Sequence, residues 1–267
     1  MLTNQMLRLK ARVLLSDWVN NEANMKANSF IKQLMAAFSF LTIFFPGSAR
    51  KAYPGGSPAY FPLVGFFLGL LLWACAYALE GIFYPAITAL LLLSILTIVT
   101  RGLPLGGLAG LLDGLSRGRN EREIGRIMRG GQRGTSAVIG IVLATLAKYL
   151  LISQLIEDGA LPSLLFFPTL GRWSMVCLAW FFPVAQEKIF APMPASRDVW
   201  WAAAVTLLCA ILTQGLAGLG LVALAWVFAY GLGRYCVRRI GGITSQVMEA
   251  GVELVEILAL VAVVALL

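Results

Sequence analysis

From Phe61 to Leu79 the chain runs FPLVGFFLGLLLWACAYAL, nineteen residues without one charged side chain, and Ile82–Val99 repeats the pattern a few residues later. A run of about 20 apolar residues is what an α-helix needs to cross the hydrocarbon of a bilayer. Backbone amides can be satisfied there only within the helix itself. Further runs follow at Thr135–Ile156, Leu161–Pro183, Trp200–Leu212, Leu216–Leu232 and Ile243–Leu267, with a shorter lead-in at Phe30–Phe45. Of the 267 residues, 59% are hydrophobic and 13% charged, too little charge to cover a soluble globule, which carries roughly 25%. The sequence therefore predicts an all-α, polytopic integral membrane protein with six to eight membrane helices in a single domain, residues 30–267, after a polar segment at 1–29. That segment has no apolar core ahead of a small-residue cleavage site, so no signal peptide is expected. Either Met1 or Met25 fits as the start. Pro85 is expected to kink the second run, and Gly171-Arg172 to interrupt the run at 161–183.

The formal charge of +8 sits in short loops between apolar runs, the positive-inside distribution, and not on a solvated face interleaved with aromatics, so no nucleic-acid partner is expected. Residues 117–133 hold six arginines and two glutamates, which assigns that loop, and Arg234–Arg239 with it, to the cytoplasmic side. Four scattered cysteines without C-x-x-C spacing, and no histidine, leave no zinc or disulfide framework. Proton transfer must fall to a carboxylate, Lys, Cys, Tyr or the substrate.

Ionisable groups inside apolar runs are costly and thus candidates for function. Glu249, Glu253 and Glu256 share a face of the last run within an arc of roughly 60° and need cations between them, from arginines or a divalent metal. A solvated helix face explains them equally well. Asp113 stands in an Asp-Gly pair that fits an ordinary turn or a close approach to a ligand. Arg126, Arg129 and Arg133 recur at three- and four-residue spacing on a predicted helix, which suits phosphate oxygens or lipid head groups. Arg172 fits a phosphate contact or a helix break reaching the interface. Lys148 lies alone inside an apolar run. With the glutamate face it could line a transport pathway, but the chain lacks inverted repeats with paired broken helices.

Several short motifs occur together in order: FLT at 40–42, FPLVGFFLG at 61–69, TxGLxLxGLAxxxDGL at 100–115, IMRxxxxGT at 127–135, GR at 171–172, and GG-x-T followed by VELVE at 241–256. Together they resemble the cobalamin-5′-phosphate synthase, or adenosylcobinamide-GDP ribazoletransferase, family from about residue 30 to the C-terminus. The resemblance implies a multi-pass enzyme of a bacterial or archaeal cytoplasmic membrane that joins α-ribazole or its phosphate to adenosylcobinamide-GDP and releases GMP. It implies Mg²⁺ as cofactor, Asp113 as a catalytic residue, and Asp113, Glu253 and Glu256 as metal ligands. Arg126, Arg129, Arg133 and Arg172 would bind substrate phosphate. Membrane lipid, further copies of the chain and other cobalamin-assembly proteins are the implied partners. The chain departs from the family pattern where that pattern has a histidine (here Pro104) and aspartates (here Gly106, Gly110, Gly130 and Gln246). Two outcomes are open: an active transferase, or a membrane relative that binds ligand or partners without turnover.

Overall fold

The computed structural model describes residues 30–44, 57–131, 133–185 and 194–267. The polar segment 1–29 lies outside the described residues. Ten α-helices make up the described chain: α1 Phe30–Leu41, then, after a 3-10 turn at Ser57–Tyr60, α2 Phe61–Leu79, α3 Pro85–Val99, α4 Leu103–Arg117, α5 Glu121–Arg129, α6 Thr135–Glu157, α7 Ser163–Phe181, α8 Ser196–Gln214, α9 Ala217–Ile240 and α10 Ser245–Val264. No strand occurs among the described residues, only a single parallel bridge between Val184 and Ile243. Among the described residues five helices are long and apolar enough to span a membrane, and six if the bent pair α3–α4 counts as one span. Large apolar side chains such as Val142, Leu143, Leu146 and Leu150 of α6 are exposed, as expected where the surrounding solvent is lipid.

At the centre stands α7, with residues from Ser163 to Ala179 almost continuously buried. A helix apolar all round is a core helix. Its internal Pro168 has no N–H to give the carbonyl of Leu164, and α2 packs against this stretch of backbone. On α2 the buried residues Phe61, Val64, Gly65, Leu68, Gly69, Leu72 and Ala76 form one stripe. A Cβ at Gly65 would overlap the Pro168 carbonyl, and one at Gly69 would lie 2.5 Å from Leu165 Cα and 2.7 Å from the Leu164 oxygen. This is the small-xxx-small contact of membrane helices, which lets two backbones meet. Gly65→Val or Gly69→Val is expected to cost about 1–3 kcal/mol, as overpacking does. Gly106→Ala, where a Cβ meets nothing within 4 Å, should be neutral or slightly stabilising. Thermal unfolding in detergent separates the two outcomes.

Between α3 and α4 the chain turns through 81° at two left-handed residues, Arg101 (φ 58°) and Gly102 (φ 62°). The non-glycine αL residue is unfavourable by itself. Its guanidinium is anchored, donating to the carbonyls of Ser39 (2.8 Å) and Phe40 (3.0 Å) at the end of α1. The bend lays α4 across the bundle, against α10, α6 and α5.

Several sequence expectations need correction. Pro85 is the first residue of α3 and not a kink within it, because proline is tolerated in the first turn, where no N–H is needed. Gly171-Arg172 does not break α7. Glycine there opens room for a neighbour, since a Cβ would meet Glu256 Cγ at 2.7 Å. Arg197 and Asp198, between apolar runs in the sequence, lie in the first turn of α8. Asp198 Oδ2 accepts from the N–H of Ala195 at 2.9 Å. Arg234, Arg238 and Arg239 lie within α9. Asp113-Gly114 is helical and not a turn.

Candidate active site

The crossing of α4 over α10 is set by Gly107. A side chain there would run into Glu249 Cβ, the Gln246 carbonyl and the Ala250 amide. One turn on, Gly110 faces the side chains of Gln246 (3.0 Å from a built Cβ) and Arg133 (3.3 Å). Gln246 in turn donates to the Met128 carbonyl at 2.5 Å. Two of the departures from the family pattern, Gly110 and Gln246, therefore lie side by side with Arg133.

Below this crossing lies a buried ionic cluster. Lys148 Nζ sits 2.8 Å from Glu253 Oε1 and 2.5 Å from Glu256 Oε2, and Arg172 pairs with the other oxygen of Glu256. None of the four side chains is more than 3% exposed. Lys148 falls on the buried stripe of α6 with Ala144, Ile152 and Leu155. Arg172 is nine residues from each end of α7, roughly 13 Å at 1.5 Å per residue. Two cations and two carboxylates give no net charge, the arrangement that makes ions tolerable in a low-dielectric interior. The sequence singles out Glu253, Glu256, Arg172 and Lys148, and sets Lys148 with the glutamate face as the lining of a transport pathway; the structure instead pairs them as buried ions. The signal was the isolated lysine itself, which an apolar span can hold only beside a counter-charge.

Two small cavities adjoin the cluster and share Arg172 and Pro104 in their walls. One is lined by Thr97, Thr100, Thr145, Lys148 and both paired glutamates. The other is lined by Phe40, Leu103, Met175, Val252 and Glu249. Arg172 Nε is buried with no hydrogen-bond partner among the described residues.

Asp113 is fully buried and lies elsewhere. Its Oδ2 accepts from the Gly134 amide at 2.5 Å and its Oδ1 from the Ala137 amide at 3.0 Å, so it caps the start of α6. Lys148 is eleven residues beyond Ala137, roughly 16 Å along the axis. The three acids assigned to magnesium are thus apart and already engaged, and no group of three His, Cys, Asp or Glu that could hold a metal occurs among the described residues. They do not fit a protein-held octahedral ion. The arginines are divided as well. Arg126 extends from α5 with its side chain 77% exposed, 3.9 Å from Glu123, and Arg129 closes the same helix. Arg133 lies past the end of α5, not on it as its spacing suggested. α5 rests on α4 through Ile124 and Met128, which fill the space beside Gly114 and Gly118. That leaves its polar face outward.

Fold and site together define a polytopic helical membrane protein built around a neutral, buried ion-pair cluster with cavities at its edge. The chain belongs to the cobalamin-5-phosphate synthase family, whose model matches residues 33–264, and is thus a membrane transferase of cobalamin biosynthesis. It is 36% identical over 244 residues to the adenosylcobinamide-GDP ribazoletransferase of Geotalea daltonii, covering 88% of this chain and 98% of that protein. A Pseudomonas putida protein of the same name is 34% identical over 82% of this chain and 91% of its own length. One from Acetivibrio thermocellus is 26% identical over 84% and 94%. No solved structure matches. The alternative of a relative without turnover gains no support from proteins so named.

Proposed function

We propose that the chain is an adenosylcobinamide-GDP ribazoletransferase, joining α-ribazole or its phosphate to adenosylcobinamide-GDP with release of GMP. The observation that carries this reading is the family match from residue 33 to 264, which spans every element of the α4–α10 crossing and the cluster beneath it. The chemistry is displacement at phosphorus: a ribose hydroxyl attacks and GMP leaves. Such reactions are accelerated mainly by positioning and by cations on the phosphoryl oxygens. Arg172, whose Nε is unpartnered at the wall of both cavities, and Arg133, beside Gly110, are the guanidinium groups this reading places on the diphosphate. Arg126 and Arg129 would guide it from the outer face of α5. The arginine-bearing loops face the cytoplasm in this reading, with the helices in the cytoplasmic membrane.

The test is GMP release by the purified full chain in detergent with both substrates, with and without Mg²⁺. Release above a no-protein blank is expected. A folded sample that releases none overturns the proposal.

A further inference from the structure

We infer that Glu249 is the general base of the reaction, the group that takes the proton from the attacking ribose hydroxyl. The inference rests on the transferase reading above and goes beyond it by assigning a residue to the proton.

Phosphoryl transfer from a diphosphate to an alcohol leaves a proton to be removed as the oxygen bonds to phosphorus. The chain has no histidine, so a carboxylate is the natural acceptor near neutral pH. Among the acids in the core all but one are committed. Both oxygens of Asp113 hold backbone amides. Glu253 and Glu256 hold Lys148 and Arg172. Glu249 is half-buried and makes no hydrogen bond or ion pair among the described residues.

Its position suits the task. Glu249 lies on α10 one turn after Gln246 and one before Glu253, with its Cβ against the bare backbone of Gly107. Beside that contact Gly106 faces open space. Glu249 lines the same small cavity as Arg172, with Phe40, Leu103, Pro104 and Val252 as apolar walls. A carboxylate without a partner among the described residues and the unpartnered Nε of Arg172 thus border one small space, and apolar walls limit the water that would compete as nucleophile.

The step balances as follows. The hydroxyl proton passes to Glu249 while the oxygen forms its bond to the phosphorus attached to cobinamide. The bond from that phosphorus to the bridging oxygen breaks, and GMP departs with that oxygen and the bonding pair. Protonated Glu249 then returns its proton to water.

The experiment compares the full-length wild type with Glu249→Gln and Glu249→Asp in detergent, following GMP release and the binding of adenosylcobinamide-GDP. Glu249→Gln should lower kcat by about 10²–10⁴-fold, the worth of a general base, while KM and binding of adenosylcobinamide-GDP stay near wild type. Glu249→Asp should be intermediate. A kcat for Glu249→Gln within about threefold of wild type, or a change confined to KM, overturns the assignment and leaves the transferase reading standing. If Glu249→Gln does not fold, Glu249→Asp decides: a kcat equal to wild type overturns the inference, and a fall with binding unchanged supports it. A wild type that releases no GMP removes both.

Discussion

Lys148→Met is expected to destabilise the protein by about 3–5 kcal/mol, the cost of removing one partner from a buried ionic group. The ammonium lies between two carboxylates, 2.8 Å from one and 2.5 Å from the other. Without it Glu253 and Glu256 keep only Arg172 for company, and the cluster carries one uncompensated negative charge in a site with 3% exposure or less. Methionine is similar in length and apolar, so the loss reports charge and hydrogen bonding more than volume. A second substitution makes the argument specific. Glu253→Gln added to Lys148→Met returns the cluster to neutrality, leaving Glu256 with Arg172, and should recover most of the lost stability. Thermal unfolding in detergent reads both. If Lys148→Met melts with the wild type, the ion pairs contribute nothing, and the four residues need another explanation.

That cluster also shows what a sequence of this kind reveals and what it hides. α2 is legible to the residue: its run from Phe61 to Leu79 is bounded by a Gly-Pro-Ser stretch and by Glu80-Gly81, and nothing inside it competes with a helix. Local signals mislead where tertiary contacts reuse them. Gly171-Arg172 looks like a break because glycine and arginine punctuate apolar runs. In the fold, glycine makes room for Glu256 and the arginine turns inward to pair with it. Arg234, Arg238 and Arg239 suggest a loop by charge alone, yet α9 continues to Ile240. Charge fixes where a helix meets water less sharply than where its hydrogen bonds stop. For the site, the sequence supplied the acids and both cations but not the pairing, because partners 108 and 84 positions apart leave no periodic trace. The family resemblance also implied Asp113, Glu253 and Glu256 as one metal set, though a carboxylate beside glycine carries no mark of the backbone amides it will meet.

Asp113→Ala is expected to cost about 3–6 kcal/mol, since hydrogen bonds to a charged acceptor contribute about 1.5–3 kcal/mol each and two are lost. Gly134, at the N-cap of α6, has no side chain to offer the first turn, so the cap comes from another helix: Asp113 accepts from Gly134 and Ala137. The negative charge also faces the positive end of the α6 dipole. Because this contact pins α4 to α6, its loss loosens the element that crosses α10 at Gly107 and aligns Glu249. Activity should then fall as well, which by itself would imitate a catalytic role. The two roles separate when the cap is supplied locally. Gly134 has φ −87° and ψ 179°, backbone that an N-capping aspartate adopts without strain. Its built Cβ is crowded chiefly by Asp113 itself and by the end of Arg117. Gly134→Asp in the Asp113→Ala background should therefore restore much of the melting temperature. If Asp113 acts as a strut, GMP release returns with it, and that is the expected result. A double variant as stable as wild type but still inactive would place the Asp113 carboxylate in the chemistry.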